Sequence, residues 1–349
     1  MFQRFIAILG LLALASVSPR TAGAADALQT INVSYQPTNY WALPFYLATE
    51  KNWWKKVGLD PHFTTFPAGA PQIAAAASGS WDVGATGSVP AVLGAARYDI
   101  MTIGITNDES ATNVLMTRDD KLSDYRKSPQ SMKGQQILLT ANSTGEYAVV
   151  SCLKKMGLTE ADVSLVNLGQ AQILSAFASG TGNLAGLWAP YSYTLEEKSK
   201  ARVLCSGSDA GVTIPGALVV RGSYAKQHPE MVAKFLAVYE HAIRWERAHP
   251  EEAQRELIAA DREGGAEISP TFAKAEMVKR PLFDLAEQLK IMHRGGTSDV
   301  DHWFAGIINY MKSKGSIQGS LDPKTFITDE YLHILGEDAK LRAFADSSN

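Results

Sequence analysis

Two stretches of this chain repeat each other, and that repeat limits the fold more than anything else in the sequence. GLDPHFTTFPAGAPQIAAAASGSWDVGATGSVP starts at Gly58, and GLTEADVSLVNLGQAQILSAFASGTGNLAGLWAP starts at Gly157. Gly58-Leu59 matches Gly157-Leu158, Gln72-Ile73 matches Gln172-Ile173, Ser78-Gly79 matches Ser179-Gly180, and Pro90 matches Pro190, each about 100 residues on. One shared dipeptide is common by chance. Four in order, in equivalent elements, imply two similar units.

Each unit alternates short apolar strands with helices. In the first, Ile31–Tyr35, Phe63–Phe66, Trp81–Ala85 and Ile100–Thr106 read as strands, with helices over Trp41–Lys51, Pro71–Ala77 and Val89–Arg97 between them. In the second, strands are expected at Val114–Arg118, Gln135–Thr140, Val163–Leu168, Leu184–Trp188 and Arg202–Cys205. This order predicts an α/β fold of two lobes, each a mostly parallel sheet with flanking helices. After a further strand, Ala217–Arg221, the chain reads as helical to its end. Met231, Phe235, Val238, Ala242 and Trp245 keep a helical period behind Pro229, and Ser298 caps a later helix. Two crossings, near Asn107–Asn113 and Val212–Ala217, would return the chain to its first lobe. The expected division is residues 26–112 with 218–349 for lobe one, and 113–217 for lobe two.

The opening MFQRFIAILGLLALASVSPRTAGAADA has one early cation, an apolar run and a small-residue exit, the pattern of a secretory signal over residues 1–24. Cleavage there, with no cysteine following, predicts an exported, periplasmic protein without a lipid anchor. A mature chain of about 325 residues suffices for two domains. Net charge of −3 and a pI near 6.2 give no basic field for nucleic acid or anionic lipid. The two cysteines, Cys152 and Cys205, are expected as thiols in separate elements, although the export context permits a disulfide. They have no metal-ligand spacing.

At Thr86-Gly87-Ser88 a strand hands over to a helix opened by Pro90. Backbone N–H groups without intrahelical partners gather there at the positive end of the helix dipole, so the junction can hold an anion. An ordinary Ser cap explains the same residues. The later turn Asn142-Ser143-Thr144-Gly145 leads into Glu146, and Ser143-x-x-Glu146 is a capping-box pattern that could also meet a ligand.

YLATEKNWWKKVGLD, PAGAPQIAAAASGSWDVGATGSVPAVLGAA, STGEYAVVSCLKKMGL and ALVVRGSYAKQHPEMVAKFL, spread over Ile31 to Leu236, resemble the periplasmic solute-binding proteins of ABC importers. The similar branch includes taurine-, aliphatic sulfonate- and nitrate-binding proteins and thiamine-precursor-binding relatives. The resemblance implies a ligand in the cleft between lobes, hinge closure, and an importer permease in the inner membrane as partner, the binding protein itself acting as a monomer. It makes Thr86, Gly87 and Ser88 an anion-contacting turn of lobe one, with Ser143 and Thr144 facing them from lobe two. The chain departs from the family at Trp188-Ala189-Pro190, where an acidic residue is common, and at Gly182-Asn183-Leu184-Ala185, which lacks the usual acidic pair.

Asp108, Glu109, Glu146 and Asp209 fall in turns expected to face the cleft, with no Arg or Lys in the same turns. Buried carboxylates would repel a bare inorganic anion. A zwitterion such as a taurine-like amino-sulfonate resolves this, its acid at the helix starts and its ammonium at Asp108 or Glu109 with Asp209. Tyr40, Trp41, Tyr147, Trp188 and Tyr191 stand at loop or strand ends and could stack on a ligand or close over an ammonium. Trp41 and Tyr191 fit a core role better. Gln36, Asn39 and Asn107, in the turns after the first and fourth strands, complete the candidates. An aromatic acid, a pyrimidine or an inorganic anion such as nitrate stays open as ligand. No G-x-S-x-G elbow, zinc spacing, Cys-His pairing or phosphate loop is present, so no catalysis, cofactor or metal is expected. A ligand sensor or an enzyme on the same fold is the remote alternative.

Overall fold

The computed structural model describes residues 27–348, so the expected signal segment lies outside the described residues. Within them, ten strands form two five-stranded sheets. The strands are β1 (Gln29–Tyr35), β2 (Leu59–Thr65), β3 (Val83–Gly87), β4 (Ile100–Asp108), β5 (Asn113–Arg118), β6 (Gln136–Leu139), β7 (Ser164–Asn167), β8 (Leu184–Trp188), β9 (Ala201–Ser206) and β10 (Pro215–Arg221).

The two sheets share one topology. Their orders are β2-β1-β3-β10-β4 and β7-β6-β8-β5-β9, so each strand of one has a counterpart in the other. In each sheet the fourth strand alone runs against its neighbours: β10 is antiparallel to β3 and β4, and β5 to β8 and β9. Both odd strands follow a crossing from the other sheet, and entry from the opposite end reverses them. The repeat in the sequence is thus a repeat in space.

Burial follows the period of two expected of covered strands. In β5, Leu115 joins the core on one face of the second sheet while Val114 and Met116 join the core on the other. In β6, Leu138 likewise faces away from Ile137 and Leu139. β2 starts earlier than the apolar run Phe63–Phe66 suggests and contains Pro61. Its place at the sheet edge explains this, because an edge strand need not donate every N–H. The opposite edge, β4, is covered where Thr102 pairs with Ile327 of the C-terminal segment.

The C-terminal third packs on the first sheet. The Pro229–Ala248 helix buries Met231, Phe235, Val238, Ala242 and Trp245, in one core with β1, β3 and β10. The Asp299–Ser313 helix opens where Asp301 accepts a hydrogen bond from Ser298 N at 3.1 Å. No helix among the described residues is long and apolar enough to cross a membrane.

One expectation is corrected: Cys152 and Cys205 are not separate thiols but a disulfide. The Thr144–Lys155 helix lies over β5, β8 and β9 and brings Cys152 to the end of β9, a juxtaposition that 53 residues of intervening sequence conceal. The bridge closes a long loop, so removing it frees the unfolded chain. A Cys152→Ala/Cys205→Ala variant is expected to lose about 2–4 kcal/mol of stability in urea melts. An unchanged midpoint would count against the bridge.

Candidate functional site

The parallel strands of both sheets end toward each other, where ligands of open α/β sheets bind. A narrow slot lies between them. Gln36 and Asn39 follow β1, Gly69 follows β2, Gly87 ends β3 and Glu109 follows β4. From the second sheet come Ser143 and Thr144 after β6, and Trp188 at the end of β8. Trp41 and Pro90 complete the lining.

Two helices begin at this slot, one from each half. Gly87 is the N-cap of the Ser88–Arg97 helix, and Ser143 is the N-cap of the Thr144–Lys155 helix, its hydroxyl accepting from Glu146 N at 3.2 Å. Their starts touch: a Cβ on Gly87 would lie 2.7 Å from Thr144 Cγ2. Two sets of free N–H groups and two positive dipole ends therefore meet in one place. The hydroxyls of Thr86 and Ser88 are fully buried beside them and have no hydrogen-bond partner. Such groups are rare and call for an explanation. Ser88 is not a side-chain cap, since Gly87 holds the N-cap position.

The carboxylates expected around an ammonium are distributed differently. Asp108 lies at the crossing, where its Oδ1 accepts from Ser110 N at 2.9 Å and Ile214 N at 3.1 Å, tying the two crossing segments together. Asp209 accepts from Ser206 N and Oγ, both at 2.8 Å, and these bonds hold its carboxyl below the ordinary value. It lines a separate groove of about 910 Å³ with Tyr147 and Tyr310. Glu146 accepts from Asn142 N at 2.8 Å and pairs with Lys314. Glu109 alone of the four lines the slot. Its Oε1 accepts from Trp41 Nε1 at 2.9 Å and Arg280 Nη1 at 2.8 Å. Burial pushes this carboxyl up, while the guanidinium and the indole N–H oppose the shift.

The absence of cations from the turns themselves was misleading. Arg280 and Lys314 arrive from the C-terminal helices, and Arg280 is fully buried between Glu109 and Glu276. Neither position carries a local sequence signal. The aromatics also divide. Trp41 and Trp188 line the slot, and Trp41 also takes the core role expected of it, buried in the core of the first sheet. Tyr40 is in the core with its hydroxyl on Glu246 Oε2 at 3.1 Å, and the Tyr147 ring lies tilted against Tyr310 with 5.0 Å between centroids. Asn107 is buried behind the slot, donating to Arg280 O at 3.2 Å.

Two buried glutamines hold the slot's walls. Gln72 Nε2 donates to Ser34 Oγ at 2.8 Å and Ala85 O at 3.1 Å, bridging β1 to β3, and accepts from Gln36. In the second half Gln170 does this work: its Nε2 donates to Thr140 Oγ1 at 3.0 Å and its Oε1 accepts from Trp188 N at 3.2 Å. Gln172, the match by sequence, is an exposed helix cap instead.

The chain is similar in sequence and fold to several known proteins. A putative aliphatic sulfonates-binding protein of Bacillus subtilis is 28% identical over 216 residues, spanning 60% of this chain and 64% of that protein. The taurine-binding periplasmic protein of Escherichia coli is 28% identical over 209 residues, 59% of this chain and 62% of that one. The chain thus spans somewhat under two thirds of each. The crystal structure of the periplasmic aliphatic sulphonate binding protein SsuA from Escherichia coli superposes with a TM-score of 0.71 at 17% identity, covering 88% of this chain and 100% of that one, which shows the shared fold. The model of one family, described as NMT1/THI5 like, matches residues 39–253, well over half the chain, and the chain belongs to that family.

Proposed function

We propose that this chain is an exported solute-binding protein that closes its two halves around a small organic acid and delivers it to an ABC importer permease in the inner membrane. The observation that carries the reading is the meeting of two helix starts, at Gly87 and Thr144, beside the unpartnered Thr86 and Ser88 hydroxyls. An anionic head group there would satisfy all of these donors together.

The ligand is a taurine-like amino-sulfonate or a related zwitterion. Arg280 pairs with two carboxylates, Glu109 and Glu276, so this triad keeps one negative charge when both are ionised. Glu109 carries that charge to the slot wall, and it replaces Asp108 and Asp209 as the partner of the ligand's ammonium. The slot's cavity volume is about 20 Å³, room for about one water in this arrangement, so the halves must part to admit any organic acid.

The test is calorimetry with taurine and ethanesulfonate. Taurine is expected to bind at least ten times more tightly, and Ser88→Asp to abolish binding of both by setting charge against charge. The reverse order would remove the ammonium site, and unchanged affinity in Ser88→Asp would remove the anion site.

A further inference from the structure

Away from the slot, ion pairs join the two halves at two places, Lys198 with Glu267 and Lys314 with Glu146 and Glu160. Lys314, at the end of the Asp299–Ser313 helix, places its ammonium against Glu146 Oε1 and 3.7 Å from Glu160 Oε1. That helix belongs to the core of the first sheet, whereas Glu146 and Glu160 belong to the second half. The same region makes two more contacts across the gap: Ser316 Oγ donates to Asn142 Oδ1 at 3.1 Å, and the Tyr310 and Tyr147 rings lie 5.0 Å apart.

Glu146 occupies a sensitive place. Its side chain is 2% exposed, in the first turn of the helix whose start faces the slot. A carboxylate there draws on the same dipole and N–H groups that would hold an anionic ligand. Left uncompensated in so dry a place, it repels that ligand. Lys314 pairs with it more closely than with Glu160, and does so only while the halves are together, because the two residues stand on different halves; no other cation contacts Glu146 among the described residues.

We propose that Lys314 is a positioning residue for ligand binding, quenching Glu146 on closure and so making the Thr144–Lys155 helix start receptive to an anion only in the closed arrangement. This rests on the reading that the slot holds an acid group. Closure and anion affinity then become one coupled equilibrium, because the contact exists in one state and not in the other. Lys314 does this without lining the slot.

The test uses Lys314→Met, Lys314→Arg, Glu146→Gln and the Lys314→Met/Glu146→Gln double variant of the full chain, with taurine and ethanesulfonate as probes. Lys314→Met is expected to weaken both probes at least tenfold. Lys314→Arg and Glu146→Gln stay within about threefold of the parent, and the double variant regains the affinity of Glu146→Gln. A merely structural tie predicts otherwise: Glu146→Gln as weak as Lys314→Met, and no recovery in the double variant. That pattern overturns the proposal. Small-angle scattering gives a second readout: saturating taurine is expected to compact the parent chain and Lys314→Arg but not Lys314→Glu, whose added carboxylate faces Glu146 and Glu160. Equal compaction in Lys314→Glu overturns the proposal. A parent that binds neither probe overturns the sulfonate reading and this proposal with it, whereas a parent that binds while Lys314→Met is unaffected overturns only the role of Lys314.

Discussion

Arg280→Met is expected to remove about 3–5 kcal/mol of folding stability near neutral pH, the range measured when one partner of a buried ion pair is deleted. The side chain is wholly buried, with Nη1 2.8 Å from Glu109 Oε1 and Nη2 on Glu276, and both carboxylates are themselves within a few per cent of full burial. Methionine fills similar space but leaves those acids uncompensated in a low-dielectric interior. Asp261 adds to the burden: burial pushes its carboxyl up to about 8 even with the guanidinium nearby to oppose the shift. The loss therefore depends on pH, and the sign follows from linkage. An acid whose folded value is raised keeps its proton in the folded state and gives it up on unfolding. Its contribution is fully present below the unfolded value, about 4, and is lost as pH rises through the folded one. Asp261 and Glu246, both at about 8, already make the parent chain less stable as pH climbs from about 4 to 8. Removing Arg280 steepens that fall, so urea melts at pH 5 and pH 8 should show the larger deficit at pH 8. Glu109→Gln in the Arg280→Met background should recover part of it. A deficit below about 1 kcal/mol at both pH values would mean that the pair contributes no more than an exposed one.

Arg280 also marks the limit of what the sequence discloses. The repeat was legible because each unit uses the same local grammar, a strand, a small-residue turn and a helix, and that grammar survives in order and spacing. The two sheets of identical topology follow from it. So do the turns at Gly87 and Ser143, where strand–helix junctions put donors at the slot. Partners brought in from far along the chain were not legible. Glu109 and Arg280 stand 171 residues apart, and Glu146 and Lys314 are 168 apart, so no periodicity or motif links them. Cys152 and Cys205 failed for the same reason. The glutamine match failed for a subtler one. Gln72 and Gln172 align, yet the buried bridge in the second half is made by Gln170 at the first position of its helix, two residues earlier. Function in space was kept while register along the helix was not. The acidic turns misled in a third way, because Asp108 and Asp209 are used to accept backbone N–H groups beside the crossings. A carboxylate in a turn is as able to cap the backbone as to meet a ligand.

Gly87→Val should abolish ligand binding while leaving the unliganded chain folded. Gly87 has φ −73° and ψ 160°, extended backbone that valine adopts readily, so nothing local forbids the side chain. The obstruction lies across the slot, where a Cβ would approach Thr144 Cγ2 to 2.7 Å and Thr144 Oγ1 to 3.3 Å. Closed halves cannot accommodate that, whereas separated halves can, and valine then acts as a wedge that holds them apart. Stability should change by no more than about 1 kcal/mol, since the strand and helix that flank Gly87 keep their own partners. Affinity for the preferred sulfonate should fall at least a hundredfold, and scattering should show no compaction on adding it. Valine also sits beside the N–H groups proposed to hold the anion, so lost affinity alone would not identify the cause. Thr144→Ala separates the two explanations. It removes both contacting atoms, and in the Gly87→Val background it should restore closure and most of the affinity if the wedge is responsible. No recovery would mean that valine damages the anion site directly, and undiminished affinity in Gly87→Val would mean that the two helix starts never meet around a ligand.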